Sequence, residues 1–106
     1  MNNVQWYSHH AQELKFSQQH KVINFLEHNC IQYDSIEKVF YCLPIPDYNS
    51  RTYLLHNKTV DKSFMCNCQG FLKSFKEKGR GTCSHVGALY EFLAKRNKRG
   101  VLNENI

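Results

Sequence analysis

The stretch Cys66–His85, CNCQGFLKSFKEKGRGTCSH, holds three of the chain's five cysteines and ends in a histidine. Cys66 and Cys68 form one close pair, Cys83 and His85 form another, and fourteen residues separate the two pairs. Zinc takes four ligands in a tetrahedron and favours thiolate and imidazole. Each pair can supply two corners of such a site. The spacing therefore predicts that Cys66, Cys68, Cys83 and His85 bind one zinc ion.

Four protein ligands would fill the zinc coordination sphere, which is typical of a structural rather than a catalytic site. Structural zinc contributes about 10–16 kcal/mol of apparent binding free energy in small fingers, which is comparable with the whole stability of a small domain. Zinc binding and folding are therefore expected to be coupled. Buried free cysteines would not explain the paired spacing. A redox dithiol is disfavoured because Cys66 and Cys68 lack the usual C-x-x-C spacing.

Upstream of the cysteine pairs, the sequence predicts helix followed by a hairpin. Apolar residues recur at three- and four-residue steps over residues 3–29. This pattern predicts one N-terminal helix or, because Ser17–Gln19 weakens the apolar stripe, two shorter ones. β-Branched, aromatic and aliphatic residues predict strands over 36–46 and 51–57, joined as an antiparallel hairpin. Cys42 alternates with inward positions of the first strand and is predicted to be a core thiol.

Two further elements flank the cysteine pairs directly. Lys62–Met65 is predicted to be a short extended segment that leads into Cys66. From Cys83 onward, apolar residues share one helical face, which predicts a C-terminal helix with Thr82 or Ser84 as its N-cap. The predicted fold class is therefore α+β, with an N-terminal helix, an antiparallel β-hairpin and a C-terminal helix around one structural zinc site.

The spacing of the cysteines and the histidine resembles that of the SWIM zinc finger, a family defined by C-x-C, a variable gap and C-x-H. The family carries an aromatic residue shortly after the second cysteine, here Phe71, and a small residue after the histidine, here Ala88. The resemblance covers roughly residues 36–95. It implies a small ββα unit with the same four zinc ligands, and a role in binding DNA or protein.

A chain of 106 residues suits one domain. We predict that residues 1–35 form a helical segment packed on the finger, that residues 36–100 form the finger, and that residues 101–106 form a frayed tail. No apolar run is long enough to cross a membrane, and the N-terminus lacks the pattern of a secretory signal. The sequence therefore predicts an intracellular protein, cytoplasmic or nuclear, whose cysteines are thiols or metal ligands rather than disulfides.

Positive charge is concentrated around the predicted metal site. Residues 62–99 carry nine Lys or Arg against two acidic residues, within a chain of formal net charge +5. A local excess of this kind favours a polyanion partner, above all nucleic acid, although a solvated surface is the alternative. Cations with interleaved aromatic side chains can bind phosphates and stack on bases. The predicted contacts lie in a basic loop and at the end of the C-terminal helix, and they are Lys73, Phe75, Lys76, Lys78, Arg80, Lys95, Arg96, Lys98 and Arg99.

Two functions remain open at this point. The first is a zinc-stabilised module that binds nucleic acid, DNA foremost, mainly through phosphate contacts. The second is an adaptor for a protein partner, for example in recombination or repair, that docks through the N-terminal helix or the edge of the hairpin. The sequence has no paired carboxylates beside a nucleophile, no phosphate-binding loop and no open metal site. It therefore predicts neither an enzyme nor a small-molecule substrate.

Overall fold

The computed structural model describes residues 6–47, 51–57, 64–78 and 81–98. Within these residues it combines helices with a four-stranded antiparallel sheet, which confirms the predicted α+β class. The elements in chain order are α1 (His9–Gln12), α2 (Phe16–Glu27), β1 (Ile31–Asp34), β2 (Val39–Cys42), β3 (Tyr53–Asn57), β4 (Phe64–Cys66), α3 (Gln69–Lys78) and α4 (Ser84–Lys98). Across the described part of the chain, no helix combines the length and apolarity that a membrane crossing requires.

The N-terminal helical region contains two helices, α1 and α2, and so follows the two-helix alternative of the prediction. The chain leaves helical structure between them at residues 13–15. Gln19 Nε2 donates to the carbonyl oxygens of Ala11 at 3.3 Å and Gln12 at 3.0 Å. These bonds add acceptor contacts at the last carbonyls of α1, where the carbonyl of Ala11 also accepts from the amide of Leu14 at 3.2 Å. A side chain of α2 therefore stabilises the break, and residues 3–5 of the predicted helix lie outside the described residues.

The end of α2 turns the chain directly into a strand. Asn29 has a left-handed φ of 54°, a conformation that asparagine tolerates. The amide of Cys30 donates to the carbonyl of Phe25 at 2.9 Å, and the amide of Asn29 donates to the carbonyl of Leu26 at 3.1 Å. This pair of bonds is the Schellman motif. The strand that follows, β1, was missed by the sequence analysis, which assigned residues 1–35 to a helical segment.

The four strands lie side by side in the order β1-β2-β3-β4, and each neighbouring pair is antiparallel. The predicted hairpin is formed by β2 and β3, but the strand predicted over 36–46 was too long, because only Val39–Cys42 is extended. Asp34 Oδ1 accepts a hydrogen bond from the amide of Ile36 at 2.9 Å. This side-chain bond favours a turn before β2 and leaves Ile36 89% exposed. The returning strand β3 falls within the predicted 51–57, and β4 overlaps the end of the predicted extended segment.

The C-terminal helix α4 is the element around which the rest is assembled. It contacts α1 and α2 as well as strands β1, β3 and β4. Buried side chains of the helices and of the strands meet in one core, which includes Val22 of α2, Leu55 of β3 and Leu89 of α4. Cys42 is 1% exposed in the same core, which confirms the prediction that it is a core thiol.

Gly87 allows α4 to approach the N-terminal helices closely. A Cβ atom at this position would overlap Leu14 Cδ1 and would lie 3.2 Å from Val22 Cγ2. We therefore expect Gly87→Ala to destabilise the fold by about 1–3 kcal/mol, because overpacking forces buried side chains or the backbone to shift. Chemical denaturation of the two proteins under the same conditions measures the difference. Gly70→Ala is the matched control, since nothing lies within 4 Å of the new methyl group. Equal stability of the two variants would contradict the close approach.

A buried carboxylate joins the start of the described chain to α4. Glu91 is 0% exposed. Its Oε1 accepts from the amides of Tyr7 at 3.1 Å and Ser8 at 2.9 Å, and its Oε2 accepts from the amide of Tyr7 at 3.0 Å. Ser8 is in turn the N-cap of α1, and its hydroxyl accepts from the amide of Ala11 at 3.2 Å. No sequence motif marks Glu91, although it lies three and four residues from the small residues Ala88 and Gly87 on one helical face.

We expect Glu91→Ala to lower the free energy of unfolding by about 2–4 kcal/mol, because buried backbone donors lose a charged acceptor. Glu91→Gln keeps one acceptor oxygen and is expected to cost less. Hydrogen exchange at the amides of Tyr7 and Ser8 should rise in the alanine variant before global exchange does. Unchanged protection of these amides would show that the carboxylate does not hold α1 in place.

Candidate metal centre

The structure brings together the four side chains that were predicted to bind zinc. One ligand atom from each of Cys66, Cys68, Cys83 and His85 lies within 4.8 Å of the other three. His85 Nδ1 is 3.7 Å from the sulfur of Cys66 and 3.7 Å from the sulfur of Cys83. A tetrahedral ion with ordinary metal–sulfur and metal–nitrogen bonds holds such atoms about 3.6 Å apart. The cluster could therefore hold a metal ion.

Three different elements supply the cluster. Cys66 is the last residue of β4 and lies opposite Leu55 of β3. Cys68 immediately precedes α3, Cys83 immediately precedes α4, and His85 is in the first turn of α4. All three cysteines are buried and His85 is partly buried. A bound ion would therefore tie one strand end to the starts of two helices.

The sulfur atoms of Cys68 and Cys83 also serve as helix caps. The amide of Phe71 donates to Cys68 Sγ at 3.3 Å, and the amide of Val86 donates to Cys83 Sγ at 3.4 Å. Both donors are three residues beyond the cysteine, which is the geometry of a side-chain N-cap. Amide donors and the positive end of the helix dipole favour a thiolate. Each helix start is therefore stabilised by a group that also faces the metal position.

This arrangement corrects the predicted cap of α4. Thr82 and Ser84 were the candidates, whereas Cys83 holds the capping position and Ser84 is the first residue of the helix. Thr82 Oγ1 instead lies 3.3 Å from His10 Nε2 of α1. Cys83 was predicted to be a metal ligand alone, and its second role as a cap was not predicted.

Hydrogen bonds among the three sulfur atoms drive their pKa values apart. Bonds from Cys66 and Cys83 hold the pKa of Cys68 far below its ordinary value. Bonds with Cys66 and Cys68, together with burial, raise the pKa of Cys83. The bond with Cys68 is the main cause that raises the pKa of Cys66 to about 12. Thiolates are the form that binds metal, so binding of an ion to this cluster would release the protons that the three sulfur atoms share.

Aromatic side chains fix the ring of His85. The ring centroid of Tyr53 on β3 lies 4.3 Å from that of His85, and the centroid of Phe25 on α2 lies 5.1 Å away. Contacts on this scale restrict the rotamers of a ligand and so pre-arrange it for the ion. Neither aromatic residue was connected with the metal site by the sequence analysis, because both are distant in the chain and carry no ligand spacing.

The stretch predicted to be a basic loop, Lys73–Arg80, is mostly helical, and this prediction was wrong. That prediction was based on the lysines and glycines of this stretch, which favour a loop. Phe71 and Phe75, however, are four residues apart and stack with ring centroids 6.4 Å apart, a spacing that stabilises helices. The Phe71 ring also lies so close to Gly81 that a Cβ atom there would overlap the ring. These contacts, with the sulfur cap of Cys68, account for α3.

The structure separates the predicted nucleic-acid residues into two groups. The first group is exposed on α3 and consists of Lys73, Phe75, Lys76 and Lys78. The second group lies on the last turns of α4, where Lys95 and Arg96 are partly buried. Helix α3 contacts β4, whereas Arg96 lies beside β1 at the opposite edge of the sheet. Arg80, Arg99 and the side chain of Lys98 lie outside what the structure describes.

Comparisons with protein-family models, with curated proteins and with solved structures found no match to this chain. The likeness to SWIM fingers therefore stays a likeness of motif. The two residues that accompany the motif are both buried here, Phe71 at 1% exposure and Ala88 at 0%. What the site can do must be argued from its own geometry.

Proposed function

We propose that this chain is a SWIM-type zinc module that binds nucleic acid, DNA foremost, through helix α3. One observation carries the proposal: Cys68, a member of the metal cluster, caps the helix that presents Lys73 and Lys76 to solvent. Metal binding and the placement of these cations would therefore depend on the same turn of chain. The hairpin β2–β3 and helix α4 supply the ββα framework of the proposed finger.

Zinc is the metal that best suits this cluster. Three thiolates and one imidazole are soft and borderline ligands, and zinc combines them in tetrahedral structural sites. Four protein ligands leave no position for a substrate or a reactive water. The proposed role of the metal is therefore structural, and the proposed activity of the protein is binding rather than catalysis.

The exposed surface of α3 has the chemistry that nucleic acid requires. Lys73 and Lys76 are three residues apart and so share a helical face, where both can reach phosphate groups. Leu72 is 53% exposed and Phe75 is 39% exposed, although Phe75 also stacks on Phe71. An exposed aromatic ring beside cations offers a surface on which bases can stack. Helix α3 carries three lysines and one acidic residue, Glu77, so its net charge is positive.

Fluorescence anisotropy of the zinc-loaded protein with labelled single- and double-stranded DNA tests the proposal. We expect binding whose affinity falls steeply between about 50 and 200 mM salt, because each phosphate contact releases counterions. Two or three lysine contacts would give a slope of about −2 to −3 in a plot of log affinity against log salt. An affinity that does not change with salt concentration, or no binding at low salt, would contradict the proposal and favour the protein-adaptor alternative.

A further inference from the structure

The edge of the sheet formed by β1 borders a cleft that neither the metal cluster nor α3 uses. The cleft has a volume of about 310 Å³ and lies between the end of α2, strand β1 and the last turns of α4. Its apolar wall includes Leu26 of α2 and Phe92 of α4, and Arg96 stands at the same wall. This volume is at the lower end of the range for sites that bind small molecules or single side chains.

The cleft follows the backbone of β1 rather than one face of the sheet. Ile31, Gln32 and Tyr33 all line it. Successive side chains of a strand point to opposite faces, so the feature that these three residues share is the edge of the strand. Within the described residues, β1 pairs with β2 alone and is the outermost strand. An outermost strand presents N–H and C=O groups without a ladder partner, and these groups can accept a further strand.

Arg96 gives the cleft a definite charge. Its guanidinium lies 5.3 Å from the centroid of the Phe92 ring, in a cation–π contact. No carboxylate is among the residues that line the cleft, and within the described residues none pairs with Arg96. A guanidinium held against an aromatic ring is well placed to bind a carboxylate through two hydrogen bonds. The cleft therefore complements an acidic group next to an apolar one.

We propose that this cleft binds an extended segment of a partner protein, which adds a strand to β1. The segment carries an aliphatic residue and an acidic residue two positions apart, because such residues point to the same side of a strand. The aliphatic side chain packs against Leu26 and Phe92, and the carboxylate binds Arg96. The site does not depend on the proposed nucleic-acid function, since α3 lies at the opposite edge of the sheet.

Other occupants match the cleft less well. A small anion would satisfy Arg96 but would leave the edge of β1 without a hydrogen-bonding partner. A second copy of the chain, paired edge to edge, would bring a second Arg96 to the interface with no cleft-lining carboxylate to offset it. Nucleic acid would meet a single cation in an apolar cleft, whereas phosphate binding draws on several.

A pair of matched peptide pools tests the proposal on the zinc-loaded full chain. Each pool consists of eight-residue peptides, acetylated and amidated, with Val and Asp two positions apart and the other positions varied among Ser, Thr and Val. The second pool replaces Asp by Asn. We expect the Asp pool to bind about tenfold more tightly than the Asn pool, and to shift the amide resonances of Gln32 and Tyr33 in NMR spectra.

Two protein variants locate the binding. Arg96→Gln is expected to reduce the affinity for the Asp pool about tenfold, whereas Lys95→Gln, with the same charge change and outside the cleft lining, should retain it. N-methylation of the peptide backbone should also weaken binding, because it removes strand hydrogen bonds. If Arg96→Gln does not fold, the difference in affinity between the Asp and Asn pools still tests the proposal. Equal affinity for both pools, no binding at about millimolar peptide, or resonance shifts on α3 instead of β1 would overturn the proposal.

Discussion

Cys83→Ser is expected to abolish tight zinc binding and, with it, the cooperative unfolding transition of the domain. A serine hydroxyl is a poor zinc ligand, but it can still accept the amide of Val86 as an N-cap at the start of α4, so the substitution tests the metal rather than the cap. Structural zinc supplies about 10–16 kcal/mol in small fingers, which is comparable with the whole net stability of a small domain. Circular dichroism during heating, together with the zinc content of the purified protein, measures both losses.

A second cysteine provides the control for this experiment. Cys42 is buried like the three cysteines of the cluster but is not a member of it. Cys42→Ala should therefore lower the melting temperature modestly and keep one equivalent of zinc. Treating the wild-type protein with a strong chelator should reproduce the broad melting of Cys83→Ser. If Cys83→Ser retains one zinc and melts cooperatively, the metal does not have the structural role proposed here.

The combination Lys73→Glu with Lys76→Glu is expected to weaken DNA binding by about 100-fold at low salt, while zinc content and melting stay unchanged. Both side chains are exposed on α3, and reversal of two charges both removes phosphate contacts and adds repulsion. The salt slope should become less steep by about 2, since two phosphate contacts are lost. Anisotropy titrations at several salt concentrations give both quantities.

A charge-matched variant shows whether α3 itself matters. Lys15 and Lys21 are exposed at the start of α2 and within it, and α2 packs mainly against α4. Lys15→Glu with Lys21→Glu changes the net charge by the same amount. We expect it to reduce affinity much less than the α3 variant does. Equal losses in the two variants would mean that net charge, rather than a surface on α3, drives binding.

The parts of the fold that could be predicted from sequence are those with short-range signals. The two close pairs identified all four members of the metal cluster, because ligands that share a turn must be near each other in the chain. The hairpin β2–β3 and helix α4 followed from periodicity over neighbouring residues. Strand ends were predicted less well. The strand predicted over 36–46 was too long because the turn held by Asp34 delays the start of β2.

The features that were missed depend on contacts between distant residues or on unusual partners. Strand β1 exists because the Schellman turn at Asn29 directs the chain alongside β2, and its four residues carry little periodicity of their own. Helix α3 is stabilised by a sulfur cap, which propensity scales do not contain, and by the Phe71–Phe75 stack. Glu91 finds its partners 83 and 84 residues away in sequence.

The central position of α4 has a consequence for synthesis on the ribosome. Cys83 immediately before this helix and His85 in its first turn belong to the metal cluster, and Glu91 of the helix accepts the amides of Tyr7 and Ser8. Contacts in both halves of the chain therefore depend on α4. At about 5–20 residues per second, the eighty-odd residues between Tyr7 and Glu91 take roughly 4–17 seconds to make. During that time Cys66 and Cys68 emerge without their partners. The complete cluster and the contacts of Glu91 can therefore form only after α4 has been made, so the fold is completed late in synthesis.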